Sequence, residues 1–133
     1  MPMSDAALVE RAFAMLDRAY VPYSHFPVGA ALEGADGCIF TGCNVENSAF
    51  GSCICAERTA LVKAVSEGRR GGFTAIAIAG KGTDYCWPCG ACRQMLYEFC
   101  PELTVLVARG DRDFVSLPLS ELLPHGFGPE SLN

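Results

Sequence analysis

The sequence lacks long apolar runs, although half of its 133 residues are apolar. No window approaches the roughly 18 uninterrupted apolar residues that indicate a membrane-spanning helix. Residues 1–5 also lack the basic and apolar segments of a secretory signal peptide. We therefore expect a cytoplasmic protein with no membrane association.

Positive charge is scarce as well. Ten Lys and Arg face fifteen Asp and Glu, which gives a net charge of −5, and Arg69-Arg70 is the only basic doublet. A nucleic-acid binder needs a cationic surface that displaces counterions from phosphates. The composition therefore argues against a nucleic-acid partner.

Histidine is rare and cysteine is abundant. The chain has two histidines and eight cysteines, and about 6% cysteine lies below the roughly 8–10% typical of a disulfide scaffold. In a reducing compartment, clustered cysteines more often bind metal or take part in chemistry. Any metal site in this chain must therefore depend mainly on sulfur.

The length predicts one domain, residues 1–133. Hydrophobic periodicity and turn residues predict the order α-β-β-α-β-α-β-α, with a first helix running from a cap at Ser4 or Asp5 to Ala19. Alternating strands and helices in the second half predict parallel pairing, whereas the opening hairpin is antiparallel. We expect a three-layer α/β/α fold with one mixed sheet of about five strands. The strands located are 28–33, 38–42, 73–79 and 103–107, and the later helices are 55–67, 89–99 and 119–123.

The motif Cys89-Gly90-Ala91-Cys92 follows Trp87-Pro88 at the start of a predicted helix. A helix N-terminus favours thiolates through its unpaired amides and its dipole. By itself the pair fits a redox couple, half of a structural zinc site or ordinary buried cysteine.

A second motif, Cys55-Ala56-Glu57, also lies at a predicted helix start. With Cys89 and Cys92, Cys55 completes three protein ligands, the number that leaves catalytic zinc an open position. Glu57 then fits the role of a general acid/base that does not bind the metal. The combination of C-A-E with P-C-G-A-C matches the signature of zinc nucleobase deaminases. A closed four-cysteine structural site that recruits Cys53 or Cys86 is the alternative outside enzymes.

Over nearly its whole length the chain resembles the small cytidine deaminases. Five segments carry the resemblance: Tyr23-Ser-His-Phe-Pro-Val-Gly, Gly42-Cys-Asn-Val-Glu-Asn, Cys55-Ala-Glu-Arg-Thr-Ala, Pro88-Cys-Gly-Ala-Cys-Arg-Gln and Leu122-Leu-Pro-His-Gly-Phe-Gly-Pro. Deaminases of tRNA and of deoxycytidylate usually have His where Cys55 stands, so this residue favours a free nucleoside as substrate. One departure is Phe50, where relatives often have Tyr.

The resemblance implies a role for each matching residue at the reacting centre. Cys55, Cys89 and Cys92 would hold Zn²⁺, and Glu57 would move protons between water, ring N3 and the departing ammonia. Arg58 would donate hydrogen bonds to the thiolates and withdraw charge from them.

The resemblance also implies substrate contacts. The segment Asn44-Val45-Glu46 would bind the ribose hydroxyls, and Phe26 would pack on the pyrimidine. The Ala56 backbone N–H would bond the carbonyl of the base, and Phe127 would reach the site of a neighbouring subunit. The implied assembly is a homotetramer with sites completed across subunits.

These implications predict zinc-dependent hydrolytic deamination of cytidine and 2′-deoxycytidine to the uridines and ammonia. The alternative among enzymes is a deaminase of a modified cytosine nucleoside of the blasticidin type, which shares both cysteine motifs. Asn44-Val45-Glu46 and the run Arg58-Thr-Ala favour cytidine.

Overall fold

The centre of the fold is a five-stranded sheet. The computed structural model describes residues 3–132, so Met1, Pro2 and Asn133 of the predicted domain lie outside the described residues. The strand order is β2-β1-β3-β4-β5, and β3 and β4 are parallel whereas every other neighbouring pair is antiparallel. This confirms the predicted mixed sheet. The strands are β1 Val28–Gly34, β2 Ile39–Cys43, β3 Phe73–Gly80, β4 Thr104–Ala108 and β5 Phe114–Pro118.

Helices cover both faces of the sheet, as predicted for three layers. Those of the described residues are α1 Asp5–Phe13, α2 Ala56–Ser66, α3 Gly90–Phe99 and α4 Leu119–Leu122, with 3₁₀ turns at Leu16–Arg18, Phe50–Ser52 and Pro129–Leu132. One apolar cluster joins α1 to the sheet, and a second joins α2, α3 and α4 to the opposite face. Among these helices none has both the length and the apolar character needed to cross a membrane.

Strand β3 shows why the layers pack closely. Its side chains alternate, so that Ala75, Ala77 and Ala79 belong to the α1 cluster. Ile76 and Ile78 belong to the opposite cluster. Because successive side chains point to opposite faces of a strand, the uninterrupted apolar run indicates burial on both sides.

Two features differ from the sequence-based prediction. The first helix ends at Phe13 rather than near Ala19. Bonds from Met15 N to Ala12 O and from Arg18 N to Met15 O span three residues, and this tighter turn keeps Leu16 buried.

The fifth strand, β5, was not located from the sequence. It pairs antiparallel with β4 after a tight turn in which Arg109 N donates to Asp113 O over 2.8 Å. Arg112 in this turn has a φ of 77°, a left-handed conformation. The strand lies at the sheet edge, ends in Pro118 and has a mixed burial pattern, so its apolar signal is weak.

Candidate metal centre and active site

Two helix N-termini bring the three cysteines together. Cys55 is the N-cap of α2 and Cys89 that of α3, and neither side chain caps its own helix. Cys92 is buried in the first turn of α3. The Sγ atoms of Cys89 and Cys92 are 3.4 Å apart and those of Cys55 and Cys89 are 3.9 Å apart. The predicted ligand set is therefore a real cluster, with all three sulfurs within 4.8 Å of one another.

Close contacts between β2 and α2 fix Cys55. Gly42 lies so near α2 that a Cβ built on it would lie 2.4 Å from Ala56 O and 2.5 Å from Ala60 N. The hydroxyl of Thr59 donates to Cys43 O over 2.9 Å and to Cys55 O over 3.1 Å. The start of α2 is thus tied to the end of β2.

Arg93 fixes the other half of the cluster. Its Nε donates to Pro88 O and its Nη1 donates to Leu122 O, both over 2.8 Å. Pro88 itself is fully buried. The approach to Cys89 is therefore held between α3 and the end of α4, a support that the sequence motif did not reveal.

Hydrogen bonds favour the thiolate form of Cys55. The Cys92 thiol, Arg58 and Cys89 lower the pKa of Cys55 to about 5, whereas burial opposes the shift. The same bond to Cys55, together with burial, raises the pKa of Cys92. Arg58 donates from Nη2 to Cys55 Sγ over 3.5 Å.

The cluster fits zinc. Zn–S bonds are about 2.3 Å long, so two thiolates on a tetrahedral ion lie about 3.8 Å apart, close to the two separations observed. Three ligands leave one tetrahedral position open. Among the described residues, neither Cys53 nor Cys86 belongs to the cluster. The Sγ of Cys53 instead accepts from Asn47 N over 3.3 Å. The closed four-cysteine alternative is therefore not formed in the described chain.

Glu57 lines a pocket beside this cluster. Its side chain is buried at 4% exposure, and burial, reinforced by the Cys55 charge, raises its pKa. The pocket holds about 190 Å³. It is lined by Phe26, Val28, Asn44, Cys55, Ala56, Glu57, Cys86, Trp87 and Cys89.

Asn44 both lines the pocket and supports its wall. Its Oδ1 accepts from Val28 N and its Nδ2 donates to Phe26 O, both over 2.9 Å. The amide thereby holds Phe26, whose exposed ring also lines the pocket. Both predicted contact residues are thus brought next to Glu57.

Glu46, Val45 and Phe127 are not among the pocket-lining residues of the described chain. The Glu46 carboxylate accepts from the backbone N–H groups of Tyr23 and Ser24 over 3.0 and 3.1 Å and from the Ser24 hydroxyl. Val45 pairs with Ile54. Phe127 is 57% exposed, and its carbonyl accepts from Gln94 Nε2 over 2.8 Å.

Besides Val28, two lining residues were not predicted as part of the site. Burial, with the charges of Glu57 and Cys55, raises the pKa of Cys86 to about 11, so that it remains a neutral thiol. Trp87 is 45% exposed at the same pocket. The signal available for both was their position directly before Pro88-Cys89.

A three-layer α/β/α fold that places three clustered cysteine sulfurs beside a buried carboxylate fits a zinc-dependent hydrolase. The family model for the cytidine and deoxycytidylate deaminase zinc-binding region matches residues 2–108. The chain belongs to this family, and its three-cysteine cluster fits the family's zinc site.

Known relatives agree in sequence and in structure. A cytidine deaminase of Halalkalibacterium halodurans is 46% identical over 132 residues, 98% of this chain and 99% of that protein. One of Sporosarcina psychrophila is 48% identical over 88% of this chain and 86% of its own. The crystal structure of cytidine deaminase from Burkholderia pseudomallei superimposes with a TM-score of 0.91 at 47% identity, covering 94% of this chain and all of that one.

Proposed function

We propose that this protein hydrolyses cytidine and 2′-deoxycytidine to uridine and 2′-deoxyuridine with release of ammonia. The observation that carries the proposal is the buried Glu57 in one pocket with Cys55 and Cys89, whose sulfurs cluster with that of Cys92. The relatives named cytidine deaminase, matched over most of both chains, support the same substrate.

Zinc, when bound, would act as a Lewis acid that lowers the pKa of a water molecule. Cys55, Cys89 and Cys92 would hold it, and Glu57 would move the protons. The raised pKa of Glu57, caused chiefly by burial, favours a side chain that can both accept and return a proton. Glu57 takes a proton from the attacking water and passes it to ring N3. With the water oxygen now bonded to C4, Glu57 takes the second proton from that oxygen and passes it to the C4 amino group. The C4–N bond then breaks as the C4=O bond forms, and ammonia leaves.

The remaining predicted residues bind the nucleoside. Ala56 is the first residue of α2, where a backbone N–H has no partner within the helix and can donate to the carbonyl of the base. Phe26 packs against the pyrimidine. Asn44 keeps one amide hydrogen beyond its bond to Phe26 O, and the Glu46 carboxylate has acceptor capacity beyond its three bonds. The segment Asn44-Val45-Glu46 can therefore bind the ribose hydroxyls while bracing the loop.

We propose a cytoplasmic homotetramer whose sites are completed across subunits. Large apolar side chains are exposed in two contacting pairs, Tyr20 with Val45 and Tyr23 with Phe50. Exposed apolar patches of this kind are typical of interfaces. Phe127, exposed and outside its own pocket, is the residue proposed to enter a neighbouring site. The sheet with apolar clusters on both faces supports a single domain.

The testing experiment measures ammonia release from cytidine by purified protein of known zinc content, alongside Glu57→Gln. We expect release by the parent and a loss of roughly 10³-fold or more in the zinc-loaded variant. Near-normal turnover by Glu57→Gln would refute its assigned role. No release by folded, zinc-replete parent would exclude cytidine, and modified cytosine nucleosides of the blasticidin type would be assayed next.

A further inference from the structure

Trp87 is the only tryptophan of the chain, and the mechanism above gives it no role. It lines the same pocket as Glu57 and Cys89 and remains 45% exposed. No described residue accepts a hydrogen bond from its indole Nε1. A large aromatic ring with an unused donor at the wall of a binding pocket offers a ligand both a flat apolar face and a polar contact.

The backbone of Trp87 is held on both sides. Cys86 N donates to Ala108 O, the last residue of β4, over 3.1 Å. Trp87 N donates to Tyr85 O over 3.0 Å, which closes a tight turn. The fully buried Pro88 follows directly. The residue is therefore fixed to the sheet on one side and to the metal-binding motif on the other.

A series of side-chain contacts supports the indole ring of Trp87. The rings of Tyr85 and Trp87 meet edge to face, with centroids 6.2 Å apart and planes inclined by 65°. The Tyr85 hydroxyl donates to Asp113 Oδ2 over 2.6 Å, and Arg109 Nη2 donates to the same oxygen over 2.8 Å. The Arg109 guanidinium also lies 4.9 Å from the centre of the Tyr85 ring. The β4–β5 turn thus fixes Tyr85, and Tyr85 limits the motion of the indole.

We propose that Trp87 is a substrate-binding residue that contacts the pyrimidine ring of the nucleoside through its indole face, and that Tyr85 is its positioning residue. This inference rests on the proposed function, because it takes a free pyrimidine nucleoside as ligand. Phe26 is the other aromatic among the lining residues. A ring fixed before the ligand arrives loses little conformational entropy on binding, so its contact contributes to affinity.

The single tryptophan makes binding directly observable. Cytidine is titrated into the zinc-loaded Glu57→Gln protein, and uridine into the parent, while tryptophan fluorescence is recorded and calorimetry supplies an independent Kd. We expect a saturable fluorescence change whose midpoint equals the calorimetric Kd. Nucleoside binding seen by calorimetry with no change in fluorescence would overturn the inference.

Steady-state kinetics separate a binding role from a structural one. We expect Trp87→Leu to raise KM about ten-fold with kcat changed less than about two-fold, since base–aromatic contacts contribute on this scale. Trp87→Phe, which keeps an aromatic face, should stay within about three-fold of the parent KM. Tyr85→Phe removes only the bond to Asp113, and we expect a KM rise smaller than that of Trp87→Leu.

The outcomes distinguish the two proposals. An unchanged KM in Trp87→Leu would overturn the inference and leave Trp87 without a role in binding. Dissociation of this variant into smaller assemblies on sedimentation would also overturn it and would assign Trp87 to an interface. The proposed function would stand if the parent still released ammonia. If the zinc-loaded parent neither binds nucleoside by calorimetry nor releases ammonia, the proposed function fails and the inference fails with it.

Discussion

Arg58 donates from Nη2 to the Sγ of Cys55 over 3.5 Å, from the first turn of the helix that Cys55 caps. Three thiolates on Zn²⁺ carry a formal charge of −1, which makes a bound water less acidic than a neutral ligand set would. A guanidinium on one thiolate withdraws part of that charge. The Cys55 thiolate in turn raises the pKa of Arg58, so this cation remains charged.

We therefore expect Arg58→Gln to lower kcat about ten-fold, the lower end of the cost typical for removing a partner of a metal ligand. Zinc content, measured by atomic absorption, should stay at one ion per chain. Arg70→Gln, at an exposed position in the loop that follows α2, is the matched control and should behave like the parent. An unchanged kcat in Arg58→Gln would contradict the charge-withdrawal argument.

The contact of Gly42 with α2 gives a prediction about stability. A Cβ at Gly42 would lie 2.4 Å from Ala56 O, which is backbone and cannot move without shifting the helix that presents Cys55 and Glu57. We expect Gly42→Ala to lower the free energy of unfolding by about 1–3 kcal/mol, the usual cost of overpacking. Denaturant unfolding of the zinc-loaded protein measures this change.

Gly51→Ala is the control for that substitution. Gly51 is exposed, and a Cβ there would have no neighbour within 4 Å. Its unfolding midpoint should match that of the parent. Equal stability of the two alanine variants would show that α2 tolerates displacement from β2.

The pKa values of two pocket cysteines predict opposite reactivity. In zinc-free protein Cys55, with its pKa lowered to about 5, is a thiolate at pH 7, whereas Cys86, with its pKa raised to about 11, is a neutral thiol. Since the thiolate is the reactive form, iodoacetamide should modify Cys55 at pH 7 and Cys86 only as the pH approaches 11. Peptide mass spectrometry measures both. Zinc should protect Cys55, and equal labelling of the two at pH 7 would be the contrary result.

The sequence was most informative where local geometry sets function. Cys55 and Cys89 lie at helix starts because each precedes a helix-forming run, and the C-x-x-C spacing keeps Cys92 within one helical turn of Cys89. The apolar run of residues 73–79 likewise predicted a buried strand. These features depend on residues within one or two turns of each other.

Contacts between distant segments were not predictable in the same way. Asn44 bonds Phe26 and Val28 across 18 and 16 residues, and Glu46 binds Ser24 across 22. No spacing pattern in the sequence marks Phe26, Val28 or Ser24 as a hydrogen-bond partner of these side chains. The structural role of these two side chains, alongside their proposed role at the ribose, therefore became visible only with the fold.

A complementation experiment tests the proposed exchange of Phe127 between subunits. Phe127→Ala keeps an intact Glu57 but lacks the aromatic ring, and Glu57→Gln keeps the ring but lacks the proton carrier. If Phe127 acts on a neighbouring site, mixed assemblies contain sites with both groups intact. We expect activity from a mixture unfolded and refolded together to exceed the sum of the separate variants.

The separately refolded variants, combined only after assembly, are the control and should show no such gain. Phe127→Leu keeps apolar bulk without an aromatic face, so it distinguishes packing from an aromatic contact with substrate. If Phe127 instead acts only within its own subunit, by anchoring the C-terminal segment, every subunit that keeps Glu57 lacks the Phe127 ring. Activity equal to the sum of the parts would then place Phe127 in its own subunit, consistent with its carbonyl bond to Gln94.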